Sequence, residues 1–212
     1  MPGRLTLADF DSKLLARVEG NSLFYDRDDR VAAINEALQF INNFVGFSQG
    51  RVEAGVTYSG RTLYRVPPGI IFASDVYLDS VQLFKSTAQS ASNQDRSWIS
   101  GGEDQSPVYW VPIGLTKFAI VSADPIGGKL IEVEGVTVPA ELASDAEFCG
   151  LQDEWVDVVI DYSYMTLVLD EGGKIFSDAS KMYSYIQTKM RALSGTQLIK
   201  WPRFWPDTGA EK

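Results

Sequence analysis

Val31-Ala32-Ala33-Ile34-Asn35-Glu36-Ala37-Leu38-Gln39-Phe40-Ile41-Asn42-Asn43-Phe44-Val45-Gly46-Phe47-Ser48-Gln49-Gly50-Arg51-Val52-Glu53-Ala54-Gly55-Val56-Thr57-Tyr58 contains the change of period that decides the fold. Val31, Ile34, Leu38, Ile41 and Val45 recur at spacings of three and four, the stripe of a one-faced helix. Gly46 and Gly50 stop it. Beyond them Val52, Ala54, Val56 and Tyr58 alternate with Glu53, Gly55 and Thr57, which is strand patterning.

Upstream of this stretch, Thr6 is an N-cap with Asp9 three residues on, an aspartate form of the capping box. Leu7, Phe10, Leu14 and Val18 follow as a stripe, and Gly20-Asn21 ends it. Asp26-Arg27-Asp28-Asp29 places acids at the positive end of the second helix. Downstream, the spacing predicts a hairpin of Val52–Tyr58 with Thr62–Val66 around Ser59-Gly60. It predicts a second strand pair, Val76–Leu83, around Asp79-Ser80. Residues 85–107 read as a long loop or arm with Trp98 and Ile99 as lone apolar anchors. Tyr109–Ile113, Lys117–Val121 and Lys129–Glu134 read as strands. Helical spacing then returns twice. Trp155, Val158, Tyr162, Met165 and Leu169 end at Gly172-Gly173; Ala179, Met182, Ile186, Met190 and Leu193 end at Ser194-Gly195.

No helical pair has enough apolar surface to be buried alone. The expected fold is therefore α+β: a four-helix bundle made from the N- and C-terminal helix pairs, with an inserted antiparallel β domain. The boundaries are 1–50 with 141–199 for the bundle, 51–140 for the β domain and 200–212 for an extended C-terminal tail.

Composition narrows the function. A chain of 212 residues can bury roughly 70% of its unfolded surface, so it needs no staples. There is no histidine, which removes His-dependent triads and most zinc sites. The single cysteine, Cys149, has no base to activate it and reads as an incidental thiol. Gly127-Gly128-Lys129 and Gly172-Gly173-Lys174 lack the remaining residues of a phosphate loop and read as a turn and a helix cap. No signal peptide or membrane span is expected. Neither cofactor nor metal is expected, and the chain is read as a non-enzyme. A net charge of −9 argues against binding by phosphate neutralisation.

Two features point to contacts between proteins. From Glu141 to Glu171 there are nine acids and no Lys or Arg; from Lys174 to Arg203 there are six basic residues and one acid, Asp178. Asp153, Asp157 and Asp161 share one helix side. They are either a solvated face or a docking face for Lys181, Lys189 and Arg191 of an adjacent copy, a head-to-tail contact that closes a ring. The tail carries Trp201, Phe204 and Trp205 between prolines, with Arg203 among them. It is either a latch on its own core or an anchor in a neighbour.

The layout resembles the phage head–tail adaptor proteins, also called connector or tail tubular A-type proteins. The likeness is carried by Leu5-Thr6-Leu7-Ala8-Asp9, by Val31-Ala32-Ala33-Ile34-Asn35-Glu36-Ala37-Leu38, and by Leu63-Tyr64-Arg65-Val66-Pro67. Tyr109-Trp110-Val111-Pro112-Ile113, Trp155-Val156-Asp157 and Ser180-Lys181-Met182-Tyr183 add to it. It spans most of the chain except 85–107 and the tail. The resemblance implies a virion protein, assembled in the host cytoplasm, that forms a homo-oligomeric ring of about twelve copies. It implies docking on the portal protein through helices, a β domain toward the next tail component, and a channel that DNA crosses without specific binding. The competing reading is a virion carbohydrate- or receptor-binding protein that uses its β domain.

Overall fold

The computed structural model describes residues 5–18, 25–94, 109–121, 126–169 and 174–197. It divides into two compact units, residues 1–47 with 139–212, and residues 48–138.

The helical unit begins with α1 (Leu7–Val18) and α2 (Arg27–Val45). At α1, the Thr6 backbone N–H and hydroxyl donate to Asp9 Oδ2 at 2.9 and 2.8 Å, and the Asp9 N–H returns to Thr6 Oγ1. At α2, Asp26 and Asp29 form the same reciprocal box, and Gly46 closes the helix in the left-handed region (φ 62°). The segment after residue 138 has no regular structure until a 3-10 turn at Asp153–Trp155 leads into α4 (Val156–Leu169). The long helix α5 (Lys174–Gln197) comes last.

The fold is α+β, but the expected four-helix bundle is not evident. Strands separate the α1–α2 pair from α4 and α5 along the chain, and α4 is not a one-stripe helix. Val156, Val158, Val159, Ile160, Tyr162, Met165 and Leu167 are all buried, so α4 is covered on several sides. A helix apolar nearly all round lies inside a core rather than lending one face to it. Accordingly α1, α2 and α5 each pack on α4. Ser163, fully buried on α4, donates to Val159 O and to Ala33 O of α2. Arg30 of α2 is also buried. It donates to Asp11 of α1 at 2.6 and 3.2 Å and to Tyr25 O, and this charge pair raises the guanidinium pKa further.

The β unit is a sandwich. Its strands are β1 (Gln49–Val56), β2 (Leu63–Arg65), β3 (Ile70–Leu78), β4 (Val81–Gln82), β5 (Phe84–Lys85), β6 (Tyr109–Ile113), β7 (Lys117–Val121) and β8 (Leu130–Thr137). One sheet runs β1-β8-β3-β4 and the other β2-β7-β6-β5. Val76, Leu78, Ile131 and Val133 of the first face Tyr64, Trp110, Phe118 and Ile120 of the second in one core. A short helix α3 (Ala88–Gln94) seats Ala91 against Val111, Ala119 and Val121, on the far side of the second sheet.

The expected hairpin around Ser59-Gly60 is not formed. The turn exists, with Arg61 N–H donating to Tyr58 O at 3.0 Å, but its two arms enter different sheets. β1 pairs with β8 and β2 with β7, both antiparallel. The Tyr64 hydroxyl holds this arch by donating to Arg61 O and accepting from Tyr58 N–H. The Asp79-Ser80 turn is a true hairpin, with both residues at positive φ (47° and 67°), as a primed turn requires.

Candidate functional site

The acidic stripe of the sequence is divided by the helical unit. Asp161 lies between two cations of its own chain, 3.3 Å from Arg17 of α1 and 3.8 Å from Lys189 of α5. Only 13% of its side chain is exposed, so it ties three helices together. Asp157, 82% exposed, also lies 3.8 Å from Lys189; such a pair contributes at most about 1 kcal/mol. Asp153 is exposed in the 3-10 turn. Lys181 and Arg191 are exposed on α5. The structure thus brings Asp157 and Asp161 to Lys189 within one chain. Trp201, Arg203, Phe204 and Trp205 lie outside the described residues, as do Trp98 and Ile99.

Preceding α4, segment 141–154 is exposed at its acids and pinned from beneath. Asn35 of α2 donates to Leu142 O (3.1 Å) and accepts from Leu142 N–H (2.8 Å). The Glu147 carboxylate accepts the N–H groups of Ser144 and Ala143, which lower its pKa. Arg27 pairs with Asp145. Phe148 is left 61% exposed at the bridge to Thr6. Beside it, burial raises the pKa of Cys149, so this group is a thiol rather than a nucleophilic thiolate.

An aromatic ridge was not foreseen in the sequence. Phe40 of α2 stacks on Tyr162 of α4 at 4.4 Å and lies 5.2 Å from Phe44 and 6.3 Å from Tyr183 of α5. Phe44 is 53% exposed, so the ridge reaches the surface. Its signal was present: Phe40 and Phe44 are spaced i, i+4 beside the main stripe of α2.

In the β unit, a cleft of about 550 Å³ opens between the edge strands of the two sheets. Glu53 and Ala54 of β1 line it on one side. Arg65 of β2, Val66-Pro67-Pro68 and the Thr116-Lys117 turn line it on the other. Arg65 and Lys117 are directly opposed in the β2–β7 register. Elsewhere on the first sheet, Arg51 bonds Glu134 at 2.9 Å and lies 3.6 Å over the Tyr77 ring. The Arg51 hydrogen bond, with one from Tyr77, lowers the Glu134 pKa. On the second sheet, Phe84 and Tyr109 form an exposed ring pair 6.1 Å apart.

Among the described residues, no group of three or more His, Cys, Asp or Glu is arranged to hold a metal ion, and no helix is long and apolar enough to cross a membrane. Neither family models nor curated proteins give a match to this chain.

Proposed function

We propose that this chain is the subunit of a head-to-tail adaptor ring in a phage virion. About twelve copies would join the portal protein to the next tail component around a channel for DNA. The observation that supports this most is the division of the chain. Segments on either side of residues 48–138 build one helical unit, and a β sandwich is inserted between them. Two units with different surfaces suit two different neighbours. The helical unit offers the Phe40/Phe44/Tyr183 ridge, and exposed rings of this kind mark protein contacts. A net charge of −9 keeps DNA from adhering as it passes. Co-sedimentation with purified portal rings tests the reading: the chain should pellet with the portal at a fixed ratio. A chain that stays in the supernatant at every concentration would count against it.

One observation favours a second reading. The exposed Phe84–Tyr109 pair sits on the β sandwich, where rings offer a face to a sugar in a virion receptor-binding protein. Retention on immobilised glycans, lost on Phe84→Ala, would support that reading over the adaptor.

A further inference from the structure

We infer that the sandwich-edge cleft of one copy receives the acidic, Phe148-bearing segment 141–154 of a second copy. The inference rests on the ring reading and names an interface for it.

Arg65 and Lys117 face each other across β2 and β7, and directly opposed like charges destabilise a sheet. Neither has an ion pair or an aromatic partner among the described residues. By contrast Arg17, Arg27, Arg30 and Arg51 all have carboxylates, and Arg61 lies over Tyr58 and Tyr64. The cleft therefore holds two cations against one carboxylate, Glu53, and neither cation is ion-paired among the described residues. Its walls, Val66-Pro67-Pro68 and Ala54, are apolar, which weakens solvent screening of whatever enters.

The helical unit carries the complement. Glu141 and Glu154 are exposed and make no ion pair among the described residues. Phe148 between them is a large exposed ring suited to an apolar wall. The segment is already fixed by Asn35 and by the Glu147 cap, so docking it costs little ordering entropy. A polyphosphate fits less well, because it has no apolar group to set against the Ala54 and Val66-Pro67-Pro68 wall, whereas the segment brings Phe148. Two unlike, complementary patches on one chain make a heterologous contact, the kind that propagates around a ring.

The test uses two charge-swapped full-length chains, Arg65→Glu/Lys117→Glu and Glu141→Lys/Glu154→Lys, in sedimentation velocity. Wild type should associate, more weakly in added salt. Each swapped chain alone should associate at least tenfold more weakly. Mixed one to one they should recover, because an alternating assembly matches every cleft to a segment of opposite sign. An unfolded variant cannot recover on mixing, so recovery excludes a folding artefact. Swapped chains that associate like wild type, a mixture that does not recover, or a wild type that stays monomeric would each overturn the contact. Wild-type rings that ignore the swaps would overturn this contact alone and leave the adaptor reading standing.

Discussion

Replacing Gly135 by alanine tests the packing that shapes the sandwich. Gly135 lies on β8, paired to Gly50 of β1 and Ala73 of β3, next to a register shift between Ala73 and Asp75. A Cβ there would sit 1.9 Å from Phe72 O, 2.9 Å from Phe72 C and 3.0 Å from Ala73 Cα, all backbone atoms that no rotamer change can move. An ordinary carbon–oxygen contact needs more than 3 Å, so β3 and β8 must part locally by about 1 Å, against a usual strand spacing of about 4.8 Å. That opens two or three ladder hydrogen bonds, each contributing about 1 kcal/mol. The expected loss is about 3 kcal/mol, near the top of the range for overpacking. Hydrogen exchange of the β8 amides reads it, as roughly a hundredfold faster opening. Gly69→Ala is the control: nothing lies within 4 Å of its Cβ and its φ is not left-handed. It should be neutral or slightly stabilising. A Gly135→Ala chain whose exchange matches the control would refute the β3–β8 approach.

Three further outcomes follow from the helical unit and the carboxylates. Leu38→Ala truncates a fully packed α2 side chain and should cost about 2–5 kcal/mol in a urea melt. Arg30→Ala leaves part-buried Asp11 with only Arg27, 4.0 Å away, and should cost about 3 kcal/mol, with Arg30→Lys recovering only part of it. Acid should destabilise the chain through Asp9, Glu134 and Glu147. The pKa of Asp9 is lowered by the Thr6 N–H and hydroxyl, that of Glu134 by Arg51, and that of Glu147 by the Ser144 N–H. Folded values below unfolded ones mean a contribution present above the ordinary carboxylate range and lost as pH falls through it. A melt series from neutral pH to pH 3 should show that fall, and Glu147→Gln should flatten part of it.

Local signals in the sequence were legible, and long-range ones were not. The capping box of α1, the acidic start of α2, the Gly46 stop, the Asp79-Ser80 hairpin and strands β6, β7 and β8 are encoded within a few residues each, and the structure has them. The partner of β1 is some 80 residues away in β8, so alternation alone suggested the adjacent arm instead. The central burial of α4 rests on Val156, Val159 and Ile160 beside its stripe, which a one-face spacing does not weigh. The intrachain role of Asp161 was hidden because Arg17 comes from a helix 144 residues earlier. The cleft depends on Arg65 and Lys117 meeting in register, which no spacing within the chain reports.

A ring of copies around a channel would be seen directly in negative-stain class averages of the purified full-length chain, with and without portal. Closed rings with an open centre are expected, formed alone or templated by the portal, and disrupted in both settings by the Arg65→Glu/Lys117→Glu swap. Single, unassembled particles in both preparations would contradict the ring.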